Sequence, residues 1–269
     1  MPLYDDIGEG YDATRAADPY IVRRLIHHLG IRAKSDYLDV ACGTGNYTVA
    51  LADAGAKMAG LDQSGRMVEI ARTKSSSVAW YVGNAEELPF PDGTFSGAAC
   101  TLAIHHFPTL LPVFLEAFRV LDGGRFVLFT STPEQMKRYW LNEYFPQMMA
   151  KSTSRMPSLA EVISDLRTAG FGAITTETYE VREDLQDLFL YSGKHRPALY
   201  LDPRIRAGIS SFAALAEPAE VEGGCRRLAA DVESGRISGI LASYRHDQGD
   251  YLFVTAEKRR ILGDNSPGF

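Results

Sequence analysis

Short apolar runs alternate with amphipathic stretches from residue 18 to about residue 131. Asp18-Pro19 reads as an N-cap followed by a first-turn proline. Ile21, Val22, Leu25, Ile26 and Leu29 then recur at helical spacing up to Gly30. A strand is predicted over Tyr37 to Val40, then a glycine loop, then a helix from Asn46 to Ala54. Met58 to Leu61 is a second strand ending at Asp62, and Ser64 caps the next helix. Val78 to Val82 is a third strand, and Leu88-Pro89-Phe90-Pro91-Asp92-Gly93 is turn chemistry. Ser96 to Leu102 is a fourth strand, followed by a helix over Leu110 to Leu121, stopped by Asp122-Gly123-Gly124. Arg125 to Thr130 is a fifth strand.

Strands alternating with helices predict a parallel sheet with helices on both faces, and ligands beyond the C-terminal strand ends. The pattern then loosens. Ser158 and Glu161 form a capping box before Leu159, Val162, Ile163 and Leu166, and Gly170 ends that helix. Ala173 to Glu180 reads as a sixth strand, Leu185 to Gln248 as a long helical stretch, and Tyr251 to Ala256 as the last strand. The divisions expected are 1–30 as an N-terminal cover, 31–132 as the core, 133–184 as a Met/aromatic segment with the sixth strand, 185–248 as a helical lid, 249–262 as the last strand and 263–269 as a tail.

The 269 residues make roughly 1.8 average domains, and 45% are apolar, enough for a real core. A net charge of −6 disfavours a broad grip on a phosphate backbone. Cys42, Cys100 and Cys225 form neither a disulfide framework nor a thiolate metal site. No basic-then-apolar leader and no 18-residue apolar run is present, so a cytoplasmic location is expected, as monomer or homodimer, without membrane or nucleic-acid partners.

Three polar motifs fall after the strands. In Leu38-Asp39-Val40-Ala41-Cys42-Gly43-Thr44-Gly45, close glycines admit a ligand to the backbone at a helix N-terminus. A tight turn has the same composition. Thr48 stands where a dinucleotide loop needs a small residue, and Asp39 would repel a pyrophosphate but can hold an ammonium. Asp62, 23 positions after Asp39, is placed to chelate a ribose diol, or to cap a helix. Met67 can pack on a purine or in the core. Asn84 and the backbone of Ala85 can face an adenine edge.

This ordered set, Asp39-x-Ala41-x-Gly43-x-Gly45, Gly60-x-Asp62, Gly83-Asn84-Ala85-Glu86, His105-His106 and Leu121-Asp122-Gly123-Gly124, resembles the class I S-adenosylmethionine-dependent methyltransferases. It is most similar to their small-molecule branch, which includes ubiquinone- and menaquinone-type enzymes. The resemblance covers about residues 4 to 131. It implies a Rossmann-like α/β fold with a seven-stranded sheet, mostly parallel with the last strand antiparallel. It also implies S-adenosyl-L-methionine as cofactor, S-adenosyl-L-homocysteine as product, and no metal. Asn84 and Ser96 stand where the family often has Asp. Asn84 can still bond adenine as donor and acceptor.

The cofactor contacts implied are Tyr11, Arg15, Asp39, Ala41, Gly43, Gly45, Asp62, Gln63, Met67, Asn84, Ala85 and Leu102. The Tyr11 ring suits a sulfonium and Arg15 a methionine carboxylate. His105 or His106 is the candidate base, with one of them structural because adjacent side chains point apart. His27-His28 reads as surface. Met136, Met148, Met149 and Met156, with Tyr139, Trp140, Tyr144 and Phe145, are suited to an adaptable acceptor wall or simply to core. Tyr139, Trp140, Tyr144, Tyr191, Lys194 and Arg196 are the candidate acceptor contacts. Lys194, Arg196, Arg204 and Arg206 against Asp202 leave +3 over thirteen residues, a cluster that could hold a carboxylate or phosphate on a small acceptor.

The competing readings are an NAD-dependent enzyme, a cofactor-binding protein without catalysis, and a methyltransferase of protein or tRNA. An Asn-Pro-Pro-Tyr after strand four and a Pro-Cys dyad are both absent, which speaks against DNA-base methylation.

Overall fold

In the computed structural model, residues 14–260 are described. The central strands of the sheet are apolar on both faces, and both faces are covered. In β5 (Leu121–Thr130), Val127 and Phe129 point to one side while Phe126 and Leu128 point to the other. Tyr251 and Phe253 against Leu252 and Val254 repeat this in β7 (Tyr251–Lys258). A strand buried on both faces needs a layer on each, which is what helical crossovers supply.

The sheet has seven strands in the order β3-β2-β1-β4-β5-β7-β6. The remaining strands are β1 (Asp36–Val40), β2 (Lys57–Asp62), β3 (Ala79–Val82), β4 (Phe95–Thr101) and β6 (Ile174–Tyr179). β1 to β5 pair in parallel, and β7 runs antiparallel to both β5 and β6. Strand order reverses between β1 and β4, so their C-terminal ends flank a crevice.

One face carries α1 (Pro19–Leu29), α2 (Asn46–Asp53) and the helices after β5. Asp18 caps α1, accepting from the Tyr20 and Ile21 amides, and Gly30 ends it at φ +62°. The other face carries α4 (Leu111–Val120) and α8 (Leu159–Thr168), through Val113, Phe114, Val162 and Leu166. Ser64 caps α3 (Gly65–Lys74). Among the described residues, no helix is long and apolar enough to cross a membrane.

Three local expectations change. Helix α4 ends at Val120, and Leu121 already pairs with Phe95. Gly123 and Gly124, both at positive φ, lie inside the strand as an irregularity rather than after a helix. A Cβ on Gly124 would stand 2.1 Å from the Ser96 carbonyl oxygen, so only glycine fits there. His28 is not on the surface: its ring stacks on Phe253 at 5.0 Å and pairs with Glu177 at 3.3 Å.

The stretch after β5 forms α5 (Pro133–Met136), α6 (Leu141–Tyr144) and α7 (Pro146–Ser154). The insertion before β7 is not helical from its start. Residues 185–196 are irregular, followed by a 3-10 turn (Pro197–Leu201), α9 (Pro203–Ala207), α10 (Ser210–Leu215), α11 (Pro218–Glu233) and α12 (Ile237–Ser243). Pro197, Pro203 and Pro218 each begin an element, and Gly208 and Gly235 lie in connections between them, which explains why one long helix breaks into pieces.

Candidate functional site

A cleft enclosing about 1570 Å³, its open mouth included, lies over the C-terminal ends of β1, β2 and β4. Two non-glycine residues in the left-handed region mark its floor, Ala41 after β1 at φ +57° and Leu102 after β4 at φ +55°. Backbone held in that region costs free energy and clusters at functional sites.

Asp39, in β1, is the most unusual group in the cleft. Its side chain is 2% exposed, and Oδ2 accepts a hydrogen bond from the Thr48 hydroxyl at 2.5 Å. Its Oδ1 is buried and has no protein partner. Burial pushes the carboxyl up to about 7, opposed by the Thr48 hydrogen bond, with the Asp62 charge adding to the rise. A buried acceptor without a donor costs about 1–3 kcal/mol, so a ligand that brings a positive donor is the natural complement.

Gly43 stands at φ +54°, and a Cβ there would enter open space, so its backbone faces the cleft bare. Its amide donates to Asp62 Oδ2 at 2.8 Å, while Asp62 Oδ1 accepts from the Ser64 amide at 2.9 Å. Asp62 therefore both lines the cleft and ties the glycine loop to the start of α3. Gly45 does not line the cleft. A Cβ there would lie 2.3 Å from the Trp80 ring, which also leaves 2.5 Å to a Cβ on Gly60. These two glycines make room for Trp80 from the neighbouring strand, a role the motif alone does not reveal.

Gln63, Met67, Asn84 and Ala85 all line the same cleft. Asn84 Oδ1 accepts from the Glu86 amide at 3.0 Å, which fixes the loop after β3. Arg15 lines the cleft too, with Nε and Nη2 on the Asp187 carboxylate at 2.5 and 3.1 Å. Tyr11 lies outside the described residues.

His105 and His106 sit in a 3-10 turn (Ile104–His106) and both line the cleft. The expectation that they point apart is corrected: their ring centroids are 3.9 Å apart. Burial, then the neighbouring His106 and Arg155, hold the His105 imidazole well below the usual range, and burial with Arg155 brings His106 down to about 4. Both rings are thus neutral at pH 7, and the same burial makes them weak bases, so they are better suited to orient a nucleophile by a hydrogen bond than to hold its proton. His105 Nδ1 and Thr101 Oγ1 are buried without protein partners on this side of the cleft.

The expected acceptor contacts divide. Tyr139 lines the cleft with Met136, Met156, Phe189, Ile209 and Tyr251. Its hydroxyl donates to the Asp250 carbonyl and lies 2.8 Å from Ser131 Oγ. Trp140, Tyr144, Tyr191, Lys194 and Arg196 do not line it. Trp140 Nε1 donates to the Lys194 carbonyl at 3.2 Å, the Tyr144 hydroxyl donates to Asp231 at 2.8 Å, and Tyr191 stacks behind Tyr139 at 3.9 Å. The cations of the basic run all have partners within the chain, Arg204 on the surface and the others part-buried. Lys194 pairs with Asp250 and Glu180 at 2.9 Å each, Arg196 donates to the Leu185 carbonyl, Arg204 pairs with Asp202, and Arg206 donates to the Tyr200 carbonyl. Met148, Met149 and Phe145 are core. Among the described residues, no group of three or more His, Cys, Asp or Glu side chains is arranged to hold a metal ion.

A family described as "Methyltransferase domain" matches residues 38–129, the segment that builds the cleft floor. A demethylmenaquinone methyltransferase of Bacillus licheniformis is 45% identical over 105 residues, 36% of this chain and 45% of that protein, so the match spans under half of that relative's length. One from Lysinibacillus sphaericus is 28% identical over 184 residues, 61% of this chain and 79% of that protein. Among solved structures, a protein of Anabaena variabilis named as a candidate methyltransferase from an antibiotic biosynthesis pathway superposes with a TM-score of 0.83. It is 35% identical, and the match covers 90% of this chain and 98% of that one.

Proposed function

This chain belongs to the class I S-adenosylmethionine-dependent methyltransferases, and we propose that it transfers the methyl group to a small apolar acceptor beneath the inserted segment 185–248. The observation that carries the reading is the buried, unpartnered Asp39 Oδ1 beside the bare Gly43 backbone. That pair fits the ammonium end of an amino-acid moiety and opposes a pyrophosphate, which argues against a dinucleotide.

S-adenosylmethionine supplies, when bound, a methyl group on a sulfonium, which leaves without acid assistance. The residues of the chain then have three tasks. Asp39 takes the ammonium, Asp62 the ribose diol, and the loop carrying Asn84 and Ala85 the adenine edge. Leu102 and the turn after it bring His105 and His106 to the far side of the same cleft. A neutral imidazole there orients the acceptor's nucleophile through a hydrogen bond, or accepts its proton. Met136, Tyr139, Phe189 and Ile209 exclude water and hold the acceptor in line, which is where most of the rate of such a transfer originates.

The wall supports an acceptor with an apolar, ring-like body, in keeping with the names of the demethylmenaquinone relatives. A carboxylate- or phosphate-bearing acceptor is the less supported form, because none of Lys194, Arg196, Arg204 and Arg206 lines the cleft and each has a partner within the chain. Residues Phe189, Leu190, Ile209 and Ser211 of the insertion border the cleft, which supports its action as a lid.

The test is transfer of isotopic methyl from S-adenosylmethionine to a metabolite extract by the purified protein. Label in a low-molecular-mass apolar product supports the proposal. Label found only in protein or RNA would overturn the acceptor class.

A further inference from the structure

Asp187 lies in the irregular start of the insertion, far in sequence from any motif of the cofactor site. Its side chain is 1% exposed, yet it borders the cleft. Nε and Nη2 of Arg15 grip it in a bidentate pair, and the Tyr47 hydroxyl, from the first turn of α2, donates to its Oδ2 at 3.1 Å. Burial and the Asp187 charge push the Tyr47 phenol well up, so it remains a donor.

Around this carboxylate two chain segments are laced together. The Leu188 amide donates to the Thr14 carbonyl at 3.1 Å, and the Gln186 amide donates to Asp18 Oδ2 at 3.1 Å. Asn46 Nδ2 donates to the Arg15 carbonyl at 3.1 Å, and Lys74 Nζ donates to Asn46 Oδ1 at 2.7 Å. The first turn of α2, the segment before α1 and the insertion thus converge around one buried anion.

We infer that Asp187 is a positioning residue for the cofactor site: it orients the Arg15 guanidinium and the Tyr47 hydroxyl at the amino-acid end of the cleft and so couples the inserted segment to cofactor binding. The inference rests on the proposed cofactor reading. A bidentate pair fixes the guanidinium plane as well as its position. A buried carboxylate beside the place of the amino-acid moiety's own carboxylate would oppose binding unless a cation neutralised it, and Arg15 does so.

The test is calorimetric titration with S-adenosylhomocysteine of the full chain, Asp187→Asn, Asp187→Glu, Arg15→Met and the Arg15→Met/Asp187→Asn double variant. Asp187→Asn is expected to weaken binding at least tenfold, and Asp187→Glu to restore part of it. In the Arg15→Met background Asp187→Asn should add less than threefold, because Arg15 carries most of the effect and only the Tyr47 contact remains. Should Arg15→Met fail to fold, Arg15→Lys, which keeps a cation beside Asp187 but not the bidentate pair, is expected to lose cofactor affinity as Asp187→Asn does, and Arg15→Lys binding within twofold of the full chain would overturn the inference. Binding by Asp187→Asn within twofold of the full chain, or a full tenfold loss in the Arg15→Met background, would overturn the inference. A full chain that gives no heat with S-adenosylhomocysteine overturns the cofactor reading itself, a result distinct from either.

Discussion

The Thr48 hydroxyl donates to one oxygen of Asp39 at 2.5 Å, and the other oxygen of that carboxylate is buried with nothing to accept from. The strand and the helix that follows the glycine loop thus hold an acidic group half-satisfied at the floor of a cleft. That arrangement lowers stability without a ligand and favours a cationic one.

Asp39→Asn should therefore separate stability from binding. Because the folded carboxyl is raised to about 7, its contribution to stability is full below its unfolded value and is lost as the pH rises through 7. At pH 8 the neutral amide should leave the melting temperature equal to or above that of the parent, by about 2–4 °C per kcal/mol recovered. The same variant should bind S-adenosylhomocysteine at least tenfold more weakly. Differential scanning fluorimetry and calorimetry check the two halves.

The pH profile offers an independent check. On the proposed role of Asp39 as ammonium receptor, capture requires its ionised form, so kcat/KM for S-adenosylmethionine should fall as the pH drops below about 7. The histidines do not account for that limb, since burial keeps His106 neutral down to about 4 and His105 well below its usual range. Their contribution to stability is present above the unfolded value and is lost as the pH falls toward the folded one. A limb near pH 7 that persists in Asp39→Asn would assign it to another group.

His105→Ala should lower kcat by about 10²-fold if the ring takes the acceptor's proton, a size usual for general bases. S-adenosylhomocysteine affinity should stay within threefold. A matching loss of cofactor affinity would mean that the ring only shapes the pocket.

Lys194→Ala should destabilise the fold rather than weaken the acceptor. Asp250 is fully buried, and Lys194 pairs with it at 2.9 Å. Leaving that carboxylate without its cation costs about 3–5 kcal/mol. Urea unfolding checks this. Unchanged stability with a raised acceptor KM would return the basic run to the acceptor site.

What sequence could reveal here depends on how local the cause was. Asp39, Gly43 and Asp62 are legible because a strand end, a turn and a helix start fix them within a few residues. The order of strands and helices up to Thr130 is legible for the same reason. The packing constraint on Gly45 is not legible, because it is Trp80, brought alongside only when β3 docks beside β2. Lys194 looked like a ligand-facing cation because a charge count along the chain cannot see Asp250, 56 residues away. Asp187 carried no signal, since its partner Arg15 lies 172 residues earlier and a single Asp in an irregular stretch fits any turn. The breaks in the insertion were signalled by Pro197, Pro203 and Pro218, which a helical reading of the whole stretch passed over.

Calorimetric titration of S-adenosylhomocysteine into the full chain and into Asp39→Asn at pH 8 tests the central claim most directly. The expected result is one site per chain, with at least a tenfold weaker dissociation constant in the variant, about 1.4 kcal/mol or more. Equal affinity in the two proteins would contradict the assignment of Asp39 as the ammonium receptor, and binding of NAD in place of S-adenosylhomocysteine would contradict the cofactor site as a whole.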